Sequence, residues 1–167
     1  MGLFNFLKKT DEPTNIWEIK DKDDFVVELW GIIEEKCDYG EKMQALNEKE
    51  RVFYVTQTLE MEVNNGGFSQ FFYNDSGNLA NEIVNAFQEI FAYHTAGICQ
   101  KAVDAFGGDI PVDRDAREEL MDELECADDS KFEEILDECD EAFYEYKDDL
   151  SKLCYEFVLR NRFSFEP

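Results

Sequence analysis

Apolar residues recur along the chain at three- and four-residue intervals, and no segment sustains a strict apolar–polar alternation. That period is the one an α-helix uses to present a single apolar face. From about Asp21, the residues Phe25, Leu29, Ile32 and Ile33 share one face, Val26 and Trp30 broaden it, and Gly40 supplies a stop. Asn47-Glu-Lys-Glu50 has the form of a capping box, with Asn47 as N-cap and Glu50 reaching back to its amide. Val52, Val55, Leu59 and Val63 continue at helical spacing until Asn64-Asn65-Gly66-Gly67, residue types that tolerate the left-handed conformation of a helix end. Residues 68–73 then read as one or two further turns, closed by Asn74-Asp-Ser-Gly77.

Leu79, Ile83, Phe87 and Ile90 predict a third long helix running to about Tyr93. Ile98, Ala102, Ala105 and Phe106 predict a fourth, ended by Gly107-Gly108. Pro111 and Asp113 open a fifth, from about Arg114 to Cys126. Asp129 or Ser130 caps a sixth, with apolar positions at Phe132, Ile135, Leu136, Cys139, Phe143 and Tyr146; Leu150, Leu153, Phe157 and Val158 mark the last. The expected architecture is all-α, a compact single-domain bundle of about seven helices with no sheet. Residues 1–20 read as an N-terminal arm and 21–167 as the helical domain. The arm begins with apolar residues followed by Lys8 and Lys9; Phe6 stands where myristoylation needs Ser or Thr, so the arm is expected to pack on the domain or on a second subunit.

Composition changes the picture through charge. The 167 residues include 40 Asp and Glu against 16 Lys and Arg, a net charge of −24, with 44 % hydrophobic residues and 15 Phe to build a core. Such a chain repels phosphates, so direct binding to nucleic acid or to an anionic membrane is not expected, whereas a basic protein or a divalent cation would be attracted. No run of apolar residues is long enough to cross a bilayer and there is no secretory signal, which points to a cytoplasmic protein. Five cysteines without CxxC spacing read as reduced core thiols. A single histidine, His94, excludes His-rich metal sites and reads as structural or capping. Calcium-loop, P-loop, dinucleotide and nucleophile-elbow patterns are missing, so no cofactor and no metal are expected.

The acids are unevenly placed. Residues 109–150 hold 19 Asp or Glu and 4 Lys or Arg, so this quarter of the chain carries more than half of the excess charge. Glu133, Asp137, Glu141, Glu145 and Asp149 recur every four residues, which on a helix makes one continuous acidic stripe with charges about 6 Å apart along the axis. Glu118, Glu119, Asp122 and Glu123 add to it from the preceding helix. Like charges at this spacing each cost a few tenths of a kcal/mol, and no lysines are interleaved to offset them. Two readings stand: a solubilising face, or an anionic surface offered to a basic partner. Halophilic adaptation fits less well with 11 lysines.

One polar segment differs in kind. Glu60-Met-Glu62-Val-Asn64-Asn65-Gly66-Gly67-Phe68-Ser-Gln70, continued to Asn74 and Gly77, gathers amides around two glycines and several aromatics. Its residue types suit a helix–turn–helix junction, and alternatively an amide-lined recognition pocket. The motif resembles the signature of a bacterial all-helical domain family, formerly of unknown function, that includes a DNA-mimic protein; the looser likeness runs from about 45 to 106. The resemblance implies an all-helical fold and, by analogy with the mimic, a homodimer that occupies the DNA-binding surface of a regulator. Together the charge and the resemblance lead to a non-enzymatic acidic interaction protein whose partner is a basic DNA-binding protein. An immunity-type inhibitor of a basic nuclease or toxin is the first alternative. The second is a small-ligand binder or enzyme centred on Asn64, Asn65, Gln70 and Asn74.

Overall fold

Asp21 and Asn47 cap the first two long helices as their side chains dictate. In the computed structural model, which describes residues 15–127 and 131–166, Asp21 accepts from the amides of Asp23 and Asp24 to open α1, Lys22–Lys36. Asn47 opens α2, Glu48–Tyr73, and Glu50 returns its carboxylate to the Asn47 amide at 2.9 Å, closing the capping box. Glu50 is itself buried and receives Lys36 at 2.7 Å, so the box also ties α1 to α2. After a 3-10 turn at Asp75–Leu79 come α3, Ile83–Glu89, and α4, Tyr93–Asp104. These are followed by α5, Arg114–Cys126, α6, Phe132–Tyr144, and α7, Leu150–Arg160. Among the described residues there are seven α-helices and no strand, which is the all-α class expected. The arm residues 1–14 and the expected caps at Asp129 and Ser130 lie outside the described residues.

α2 is the axis of the bundle, packed against α1, α3, α5 and α6, while α7 covers α1 and α4 lies on α3 and α6. A chain of aromatic rings joins these layers: Phe68 to Phe143 at 6.0 Å, Phe72 to Phe106 at 4.8 Å, and Phe106 to Phe132 at 5.0 Å. Rings of this size bury the most apolar surface per residue and prefer such tilted and edge-on contacts.

Three helix boundaries and two burial assignments differ from the sequence expectation. α2 does not end at residues 64–67 but bends there and runs on to Tyr73. The third long helix is broken: Phe91 takes a left-handed φ of 68°, which stops α3 at Glu89 and lets α4 start at Tyr93. Arg160 covers the exposed Phe91 ring at 4.5 Å, a contact no local pattern announces. α6 stops at Tyr144, because Tyr146 also has a left-handed φ of 45°. On α1, Ile32 faces out and the buried residues are Phe25, Val26, Leu29 and Ile33. All five cysteines are free and four are buried; Cys126, at the end of α5, is exposed rather than a core thiol.

Candidate functional site

The bend in α2 leaves backbone groups that a straight helix would have paired, and α6 supplies their partners. Gly67 has φ 79°, a left-handed conformation that favours glycine, and the amide beyond it no longer reaches a carbonyl one turn back. The Phe68 N–H instead donates to Asp140 Oδ1 at 2.7 Å, and the Val63 carbonyl accepts from the Tyr144 hydroxyl at 2.7 Å. A Cβ on Gly67 would run into the Asp140 carboxylate, and one on Gly66 into the Gln70 amide. Both glycines are thus set by close approach.

The remaining motif residues bond mostly to one another. Glu62 Oε2 accepts from Gln70 Nε2 at 2.6 Å and from Asn74 Nδ2 at 3.1 Å, while Asn65 Nδ2 donates to Gln70 Oε1 at 3.1 Å. Asn64 donates to the Tyr146 hydroxyl, which donates on to Glu60. Phe68 is buried against Phe72 and Phe143. The end of α2 is held by Arg117 of α5, a fully buried guanidinium. It donates to the carbonyls of Phe72, Asn74, Pro111 and Val112 and to Asn78 Oδ1 at 2.5–3.1 Å. Gly77 lies against it: a Cβ there would sit 2.5 Å from Arg117 Nε and 2.5 Å from the Phe72 carbonyl. The amides bond within the helix junction.

Burial raises the Asp140 carboxyl above its ordinary range, against the opposing pull of the Phe68 amide. Burial likewise raises Glu60, against its hydrogen bonds from Tyr146 and Gln57. Burial also pushes the thiols of Cys139 and Cys154 to about 11 and about 12, so neither is a thiolate near neutral pH.

The acidic side chains sort into two groups. Glu119, Asp122 and Glu123 on α5, and Glu133, Asp137 and Glu141 on α6, are exposed and have no ion pair among the described residues. Glu125 shows how the two helices crowd each other: burial raises its carboxyl, and Glu133 and Asp122 raise it further. The other three predicted residues are occupied. Glu118 pairs with Arg114 at 2.7 Å and Glu145 with Lys147 at 2.6 Å. Asp149 is the N-cap of α7, accepting from the Lys152 amide at 3.0 Å. The stripe is therefore not continuous from 133 to 149; it ends on the last turn of α6, because the chain turns at Tyr146.

Sequence reasoning missed Asp140 and Arg117. Each lies on the inward side of a helix otherwise rich in charge: Arg117 is one turn before the buried Met121, and Asp140 one turn before Tyr144. A charged residue inside the apolar period was the available signal. His94 is exposed in the first turn of α4, beside Glu145, and makes no hydrogen bond among the described residues. No group of three or more His, Cys, Asp and Glu among the described residues could hold a metal ion, and no helix is long and apolar enough to cross a membrane.

A family model described as DMP19-like protein matches residues 44–161, more than half of the chain. The chain belongs to the DMP19-like family. Neither a curated protein nor a solved structure matches it. The DMP19-like region spans α2 to α7, past the 45–106 expected from the sequence, so both acidic helices lie within it and α1 precedes it.

Proposed function

We propose that the chain is a non-enzymatic interaction protein that offers the acidic face of α5 and α6 to the DNA-binding surface of a basic protein, as a DNA mimic does. The observation that carries this reading is that Glu119, Asp122, Glu123, Glu133, Asp137 and Glu141 are exposed carboxylates with no ion pair among the described residues. On α6, three of them follow at one-turn intervals, a row of negative charge fixed on a rigid element. A surface that repels duplex DNA attracts what binds DNA, and long-range steering makes such association fast and salt-sensitive. Membership in the DMP19-like family supports the same role.

The test compares the full chain with a variant in which the six acids become Gln or Asn. Native lysate is passed over each, with elution by stepped salt and by duplex DNA. The wild-type chain is expected to retain a basic DNA-binding protein that duplex DNA displaces, and the variant to lose it while melting at an unchanged temperature. Equal retention by the folded variant would refute the assignment. The identity of the retained protein, regulator or nuclease, decides between a mimic and an immunity-type inhibitor.

A further inference from the structure

A groove of about 780 Å³ runs between α2, α3 and the end of α7, and no residue of α5 or α6 lines it. Val55, Ala86 and Phe157 form its buried floor, and Val52, Phe91 and Tyr93 add apolar surface above it. Phe91 is 50 % exposed and Tyr93 65 %, and their rings stack at 6.1 Å. Arg160 lies over the Phe91 ring, yet half of that residue still faces water. Phe91 also holds its left-handed φ of 68°, which is costly for a bulky side chain. The fold thus strains a residue in order to leave an aromatic pair open, and a further apolar surface laid on the pair would be stabilised by burial. The charges of the groove are mostly paired, Lys49 with Glu89 and Arg51 with Glu82. Glu48, exposed in the first turn of α2, has no ion pair among the described residues.

The described chain starts next to this groove. Trp17 lies under the Arg162 guanidinium at 4.4 Å, and Arg162 opens the 3-10 turn Arg162–Ser164. The Ser164 carbonyl accepts from Asn47 Nδ2 at 2.6 Å, and Glu48 is the next residue. One short turn therefore separates the entry of the chain from the near end of the groove. Residues 1–14 carry Leu3, Phe4, Phe6 and Leu7, followed by Lys8 and Lys9. Counted back from Asn15, the lysines come first and the apolar residues second. The groove has the matching order, Glu48 and then, one turn along α2, Val52. Extended chain from Asn15 reaches about 20 Å at Lys9 and about 36 Å at Phe4, enough to cross the turn and enter the groove.

We infer that this groove is the docking site of the chain's own N-terminal arm, with Phe4 and Phe6 against Val52, Phe91 and Tyr93 and a lysine at Glu48. Burial of the rings supplies the attraction, and the net charge of −24 draws the basic pair to the domain. A tether this short sets an effective concentration on the order of millimolar, which favours the arm of the same chain over that of a second copy. The inference does not depend on the acidic face of α5 and α6.

Photo-reactive benzoylphenylalanine in place of Phe6 in the full chain tests it. A mixture of light and isotope-labelled chains is irradiated, and the linked peptides are identified by mass spectrometry. Cross-links are expected within one chain, to peptides that carry Val52, Phe91 or Tyr93. Glu48→Lys should lower their yield several-fold by turning attraction to Lys8 and Lys9 into repulsion, and Phe91→Gly should do so by removing the ring. Glycine suits the left-handed φ at position 91, so the helical dichroism of Phe91→Gly should match the wild type, which separates loss of docking from loss of fold. Cross-links to other surfaces, an absence of cross-links, or an unchanged yield in both variants would overturn the inference. Links that join light to labelled chains would also overturn it, assigning the groove to the arm of a second copy.

Discussion

Asp140 and Glu141 are neighbours on α6, yet they belong to two regions built on opposite principles. Around the bend in α2 the polar groups are held by partners: Asp140 for the Phe68 amide, Tyr144 for the Val63 carbonyl, Gln70 and Asn74 for Glu62. On the outward face, Glu133, Asp137 and Glu141 stand one turn apart with no ion pair among the described residues. The same residue type, Asp or Glu, holds the fold on one side of the helix and burdens it on the other. Partners therefore separate structural charge from charge available to another molecule.

The comparison breaks most visibly at Arg117. Arg117→Met fills the volume but leaves the buried Phe72 carbonyl, and the part-buried carbonyls of Asn74 and Pro111, without their donor. Urea denaturation is expected to show a loss of about 3–5 kcal/mol, because unpaired buried acceptors keep their full desolvation penalty. A loss below about 1 kcal/mol would mean that these carbonyls reach water without the guanidinium, and that α5 is not clamped to the end of α2.

At the bend itself, Asp140→Ala removes the acceptor for the Phe68 amide and should cost about 1–2 kcal/mol, as loss of a helix N-cap does. Tyr144→Phe, which frees the Val63 carbonyl, should cost about 1 kcal/mol. Asp140→Asn keeps an acceptor at Oδ1 and should be milder than the alanine change. Glu141→Ala, one residue away, should change little. If Asp140→Ala and Glu141→Ala melt alike, the two faces of α6 are not distinct.

Much of this could be read before any coordinates. The apolar period at Phe25, Val55, Leu59 and Phe143 is local, and so is the capping box at Asn47 and Glu50; both specify helices directly. Asn64-Asn65-Gly66-Gly67 marked the right place with the wrong consequence. Whether two glycines end a helix or bend it depends on what lies across from them, here Asp140, 72 residues away in the chain. Phe91 failed for a similar reason, since its left-handed turn is covered by Arg160 from α7. The acidic stripe was over-extended because a four-residue period cannot register the turn at Tyr146.

Proton linkage sharpens the contrast between paired and crowded acids. Burial raises Glu60, Glu125 and Asp140 in the folded state, so folding takes up protons as pH falls through their folded values. Stability should rise as pH falls from neutral through their raised values, and the gain is complete below the ordinary carboxylate range. Asp23, lowered by Ser151 and Lys22, and Glu138, lowered by Lys101, act in the opposite sense. Their contribution is present above the ordinary range and lost as pH falls through their lowered values. Thermal melts should therefore peak at mildly acidic pH. A chain most stable at neutral pH or above would contradict the burial assigned to Glu60 and Asp140.

The smallest effect decides most about the outward face. Glu133→Gln and Asp137→Asn each relieve like-charge contacts one turn away without removing an ion pair. Each should stabilise the chain by a few tenths of a kcal/mol at low ionic strength, and the gain should fade as salt screens the repulsion. The size is near the limit of a single melt, so the triple substitution with Glu141→Gln, followed across salt concentrations, is the measurement to make. A gain that vanishes by about 1 M salt, where the screening length falls to about 3 Å, identifies pure repulsion. A loss of stability would mean that these carboxylates have partners within the fold. The case for an anionic surface kept for another molecule would then fail on stability alone, before any partner is sought. Stabilisation would show instead that the sequence keeps a face its own folding disfavours, which a merely solubilising surface does not require: interleaved lysines would be soluble as well, and stabilising.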